Sequence, residues 1–196
     1  GMVIKSYVEN FCKSVDNIVA HFHEWMTASG GLYLRKNSPY VATVFSTHAT
    51  VAGRCIAGNG LSLYSDLHKF NADELARRFN VTAKHSIEKM GAKNHDAFLS
   101  VSDITARECA CLLGKEVDVV TPNGFENDFV WTGKEYDAKR KEARKAMVEV
   151  AEACLSHKFE KEPFIIGTSG RYEFHNKGLD IFFETLKALE TSGKLD

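Results

Sequence analysis

Residues 97–114 read AFLSVSDITARECACLLG, and this stretch decides the class of fold. A short apolar run, Ala97–Val101, passes through Ser102 into a segment of helical period, Asp103–Leu113, which stops at Gly114. Serine is a preferred helix N-cap and glycine a preferred terminator, so both helix ends are marked in the sequence. The same apolar-run-then-helix pattern recurs along the chain. Further strands are predicted at 17–22, 41–47, 117–121 and 164–167, and helices at 5–14, 24–36, 72–92, 137–157 and 178–191. Alternation of this kind implies an α/β fold, a parallel Rossmann-like sheet with flanking helices and right-handed crossovers.

Helix 178–191 carries Leu179, Phe182, Phe183, Leu186 and Leu189 on one face, a stripe that needs burial. Helix 137–157 has only the thin apolar face Ala143, Met147, Val150 and Cys154, and reads as a solvated surface helix or a contact to another subunit or domain. The chain leaves one sheet after Val117–Asn123 and begins a second strand-and-helix pair at Phe164, behind Pro163. That pair is too little to bury a core of its own.

Of the 196 residues 44% are hydrophobic and 26% charged, a core-forming composition. No apolar run approaches the roughly 18 residues that cross a bilayer, and no secretory leader is recognisable. A formal net charge of −1 favours neither nucleic acid nor an anionic membrane as partner. The five cysteines, Cys12, Cys55, Cys109, Cys111 and Cys154, have no zinc-ribbon spacing and read as free thiols of a cytoplasmic protein. Gly1 ahead of Met2 reads as an expression remnant.

In open parallel sheets ligands bind beyond the carboxyl ends of the strands. Here those ends run into His21-Phe22-His23-Glu24-Trp25, Ser46-Thr47-His48, Ser102-Asp103, Pro122-Asn123-Gly124 and Ser169-Gly170-Arg171. Lys177 lies at the start of the last helix, where free N–H groups and the helix dipole favour an anion. With Arg171 it forms a cation pair suited to a diphosphate; the alternative is two solvated surface charges. His21, His23 and His48 are also compatible with a catalytic zinc, hence a metal-dependent hydrolase, although no carboxylate obviously completes the set. The competing view of His21 is a packed or hydrogen-bonded ring under the helices, with only His23 at the rim. Gly58-Asn59-Gly60 reads as a turn, and Phe70, Phe79 and Trp131 as packing rather than a sugar platform.

Several segments, in order, resemble glycogen synthases of the animal and fungal type. They are Val19-Ala20-His21-Phe22-His23-Glu24-Trp25, Phe45-Ser46-Thr47-His48-Ala49-Thr50 with Gly53-Arg54, and Val101-Ser102-Asp103-Ile104-Thr105. Thr121-Pro122-Asn123-Gly124 follows, then Gly170-Arg171-Tyr172-Glu173 with Asn176-Lys177-Gly178. The resemblance implies a retaining glucosyltransferase of the two-Rossmann-domain (GT-B) type, here a partial GT-B fold. The donor would be UDP-glucose, or ADP-glucose, and the acceptor the non-reducing end of an α-1,4-glucan. It implies that His23 contacts the donor sugar and that Arg171 and Lys177 grip the donor phosphates. Asn123 and His48 take supporting places near the cleft. No metal or other cofactor is implied, and a homo-oligomer is compatible with it.

The domain reading that follows has 1–124 as the C-terminal part of the first Rossmann-like domain, 125–162 as a connecting segment with a long charged helix, and 163–196 as the start of the second domain. The family's glycine-rich N-terminal loop, its paired late glutamates and its basic regulatory helix have no counterpart in the chain. Asp103 stands where the family has an amide side chain, and 30–40 matches loosely. The expectation is therefore a fragment inactive alone. A non-catalytic nucleotide-sugar or glycan-binding module is the other alternative.

Overall fold

The computed structural model describes residues 1–13 and 16–193. In chain order the elements are α1 (Met2–Phe11), β1 (Val19–His23), α2 (Glu24–Asn37), β2 (Ala42–Thr47), α3 (Val51–Gly58), α4 (Ala72–Arg78) and α5 (Thr82–Asn94). They continue with β3 (Ala97–Ser100), α6 (Asp103–Leu113), β4 (Val119–Val120), α7 (Gly133–Leu155) and α8 (Leu179–Thr191). Two compact units result: Gly1–Asn123 together with the segment from Glu173 onward, and Gly124–Tyr172.

The first unit is an α/β fold around a four-stranded, all-parallel sheet in the order β1-β2-β3-β4. Each crossover steps to the next strand in the same direction. Right-handed crossovers of that kind place the connecting helices on one face of the sheet. Burial agrees, because alternate residues point to opposite faces. Ala20, Phe22, Thr43, Phe45, Thr47, Phe98 and Ser100 are buried on the helix side. Val19, His21 and His23 alternate with them and are exposed.

Register brings Phe22 beside Phe45 and Phe45 beside Phe98, the latter two rings stacked 5.7 Å apart. Around them Ala28, Leu34, Ala92, Cys109 and Leu113 are fully buried. A second cluster (Ala52, Ile56, Leu63, Ala72 and Leu112) takes Phe70 and Phe79 as packing partners. Helix α6 ends as its sequence predicts. Ser102 Oγ accepts from the Thr105 N–H at 3.2 Å, and Gly114 adopts the left-handed backbone, φ 65°, that glycine supports without steric cost. Within it Cys109 is buried and Cys111 exposed, on different sides.

Four expectations change. The single helix predicted at 72–92 is two, parted by Phe79–Val81. Asn80 sits at φ 57° and the Val81 N–H closes onto the Ala76 carbonyl at 2.8 Å, a left-handed helix stop that asparagine tolerates. Helix α3 was not anticipated, although Thr50, whose side chain accepts from the Gly53 N–H, is a recognisable N-cap.

The strand predicted at 164–167 does not form among the described residues, and Phe164 is 85% exposed. The stripe on α8 is not buried: Leu179, Phe182, Leu186 and Leu189 are half-covered and Phe183 is 56% exposed. Element bounds otherwise shift by a few residues; the predicted helix end at Ser14 lies outside the described residues, as do the last three residues of the 163–196 reading.

In the second unit α7 contains no buried residue. Arg144 Nε donates to Glu162 at 2.5 Å, and Glu152 accepts the Phe159 N–H at 3.0 Å, so the chain after α7 turns back along it. No helix among the described residues is long and apolar enough to cross a membrane.

Candidate functional site

Parallel strands in register lie about 4.8 Å apart. The carboxyl ends of β1 and β2 are therefore adjacent, and the pairing of His23 with Ser46 leaves His48 just beyond. His21 and His23, at i and i+2 of one strand, share the sheet face away from the helices, with ring centres 4.1 Å apart. His48 closes on them from β2: its Nε2 is 3.5 Å from His23 Nδ1, and the ring centres are 5.8 Å apart.

His21 is not packed under the helices. It is exposed, with Nε2 2.7 Å from Ser46 Oγ, and partial burial together with the neighbouring His23 and His48 rings lowers its pKa. The three histidines of the zinc reading thus meet, but with one ring committed to Ser46. Among the described residues no group of three or more His, Cys, Asp or Glu is disposed to hold a metal ion.

Carboxylates that sequence reasoning passed over organise the same strand ends. Glu24 opens α2, yet its side chain reaches across to β2. Its Oε1 accepts the His48 backbone N–H at 3.0 Å and lies 3.7 Å from Arg54 Nη2, and the side chain is only 17% exposed. Its backbone is left-handed, φ 65°, a placement costing a non-glycine residue on the order of 1–3 kcal/mol.

Behind His48 the start of α3 is occupied by the protein's own acids. Glu88 accepts from Thr47 Oγ1 (3.0 Å) and the Val51 N–H (2.9 Å); Glu108 accepts from the Thr50 N–H (2.8 Å) and Thr50 Oγ1 (2.6 Å). Both are buried. Carboxylates are stabilised at a helix N-terminus. No sequence signal marks either, since each sits mid-helix on α5 or α6 and finds its partners only through tertiary packing.

Burial pushes the Glu88 carboxyl up to about 7; the nearby acids Glu24 and Glu108 act in the same direction, against the hydrogen bonds from Val51 and Thr47. When neutral, Oε1–H donates to Thr47 Oγ1, whose own hydroxyl is 3.3 Å from the Ala49 carbonyl. Unfolded, a glutamate ionises near 4.5. Glu88 therefore favours the folded state below that pH and withdraws its support as pH rises toward 7. Glu88→Gln retains the hydrogen bonds without the titration. Relative to the parent protein it should gain about 3 kcal/mol between pH 4.5 and 7.5, read from urea unfolding at each pH. Comparing the two proteins isolates Glu88, because His85 and His95, whose pKa values burial lowers, contribute an opposite slope common to both.

The remaining predicted residues belong to other segments of the chain. Asn123 is exposed just past β4, two strands along from β2; the Thr121 N–H beside it donates to the Ser100 carbonyl at 2.8 Å. Ser102 is occupied in capping α6. Lys177 is exposed in a turn ahead of α8, in the first unit, and Arg171 is exposed in the second unit. The N–H groups at that helix start are partly engaged: Leu179 N–H donates to Phe174 O at 2.9 Å, and His175 Nδ1 lies 2.8 Å from Asp180 Oδ2. The hydrogen bond from His175 holds Asp180 below the usual carboxylate range.

The family model described as glycogen synthase matches residues 1–196. The chain belongs to the glycogen synthase family. It is 31% identical over 201 residues to glycogen (starch) synthase of Dictyostelium discoideum, covering 98% of this chain and 23% of that protein. Against the liver glycogen (starch) synthases of Rattus norvegicus and Homo sapiens the identities are 33% and 34%, each covering 88% of this chain and 25% of the relative. The chain thus spans about a quarter of the length of these glycogen synthases.

Proposed function

We propose that this chain supplies part of the nucleotide-sugar donor site of a glycogen synthase, a glycosyltransferase that moves glucose from a nucleotide-sugar to an α-1,4-glucan with retention. UDP-glucose is the proposed donor, the fold a partial GT-B arrangement and the compartment the cytoplasm. The observation that carries the reading is the family match along the whole chain, coinciding with a histidine pair, exposed His23 and half-buried His48, at the carboxyl ends of adjacent parallel strands. Ligands of open α/β sheets bind at such ends.

In this reading His23 offers a ring nitrogen to the donor sugar and holds it in position. Lys177 and Arg171 bind the donor phosphates and stabilise the negative charge that grows on the departing diphosphate, with no metal required. His48 and Asn123 support the cleft. The acceptor hydroxyl enters on the face from which the diphosphate leaves, so the anomeric configuration is retained.

Three measurements test this. Purified alone, the chain should incorporate no labelled glucose into glycogen from UDP-glucose, and thermal shift with UDP, ADP, UDP-glucose and maltooligosaccharides should show at most weak stabilisation by the nucleotides. A longer protein carrying the chain should transfer glucose, and His23→Ala should abolish most of that transfer. Undiminished transfer by the His23→Ala protein would remove His23 from the site.

A further inference from the structure

The feature of the strand ends that the proposed reaction leaves unused is Glu24. It combines a left-handed backbone at φ 65°, a mostly buried side chain, and two partners that both belong to the segment following β2: the His48 N–H at 3.0 Å and Arg54 at 3.7 Å. A glutamate that only began a helix would point its carboxylate at its own N–H groups or at water. This one ties the end of β1 to the end of β2 across the sheet.

We propose that Glu24 is a positioning residue, which clamps the His48 segment so that the His48 ring stays against His23 and fixes the tautomer that His23 presents to a ligand. The geometry gives the clamp its consequence. His48 Nε2 faces His23 Nδ1 at 3.5 Å, within hydrogen-bond reach, so His23 Nε2 is the ring nitrogen that this contact leaves unused. With His48 as donor, His23 must carry its own proton on Nε2. It then presents an N–H donor of defined direction, suited to a hydroxyl or ether oxygen of a sugar. His21 has its Nε2 on Ser46 Oγ at 2.7 Å, so that nitrogen is already used. The assignment rests on the reading of His23 given under Proposed function, but the clamp itself is a property of this chain.

The left-handed backbone makes the test discriminating. Asparagine adopts positive φ more readily than glutamate, so Glu24→Asn suits the backbone better while its side chain is one methylene too short to reach the His48 N–H. Glutamine is long enough and retains an acceptor oxygen. The chain labelled with ¹⁵N reports the imidazole nitrogens and the His48 amide directly by NMR. E24N is expected to stay folded with an unchanged or higher melting temperature. Its His48 amide proton should move upfield on losing the carboxylate, and its His23 nitrogens should move from a single-tautomer pattern to the averaged values of a free imidazole. E24Q should retain the single-tautomer pattern. Wild-type histidine signals in E24N would overturn the proposal. So would loss of the folded state in E24N, or an averaged His23 in E24Q, since each would mean that the side chain acts on stability or charge rather than on ring position. No transfer activity is read, so the clamp can fail while the donor-site reading stands, and the reverse.

Discussion

Gly31→Ala is expected to destabilise the first unit by about 4 kcal/mol, a large effect for adding one methyl group. On α2, a β-carbon at residue 31 would stand 1.8 Å from Nε2 of His95, with two more atoms of that ring within 2.8 Å. The imidazole has nowhere to retreat. Its Nδ1 is 2.8 Å from the Gly91 carbonyl, and its ring lies 5.6 Å from Phe22 and 5.4 Å from Phe45, all in the closed core. Moving the ring would break the bond to Gly91 and disturb the aromatic pair that joins the first two strands. The helix-propensity advantage of alanine, about 1 kcal/mol, offsets only part of this. Urea unfolding measures the loss. His95→Ala in the same background should recover part of it, giving a double variant more stable than the sum of the single losses implies. Additive losses would show that the two sites do not meet.

On the donor-site reading, Lys177→Ala or Arg171→Ala in a longer glycogen synthase carrying this chain should each lower kcat by about 10²–10³-fold. Removal of one preorganised charge partner of a developing anion has effects of that size, roughly 3–4 kcal/mol. Labelled glucose incorporation into glycogen at saturating UDP-glucose is the measurement. The loss belongs to kcat because the charge grows in the transition state; a rise in KM alone would indicate uniform binding instead. The double variant should lose less than the product of the two factors, since both cations serve one diphosphate. Normal turnover in either single variant would remove that residue from the role.

How far the sequence could be read differs from element to element, for physical reasons. Strand 97–100 and helix 103–113 were legible because their determinants are local: an apolar run, a capping serine and a left-handed glycine. The break at Asn80 was missed because the apolar period continues through it, while the left-handed turn depends on a single residue. At the site, His21, His23 and His48 were legible as strand-end polar residues. The contacts that Glu24, Glu88 and Glu108 make were not. Their sequence neighbours describe ordinary helix positions, whereas their partners at His48, Val51 and Thr50 lie 24, 37 and 58 residues away.

By itself, then, the sequence determined the parallel α/β class, the family and the strand ends where polar residues gather, since each follows from short-range pattern or from ordered motifs. The tertiary structure alone decided which of those polar groups touch. Sheet register brought His48 against His23, and helix packing carried two buried acids to the start of α3 and His95 against Gly31. Such contacts depend on where distant segments come to rest, and no periodicity within one segment encodes that.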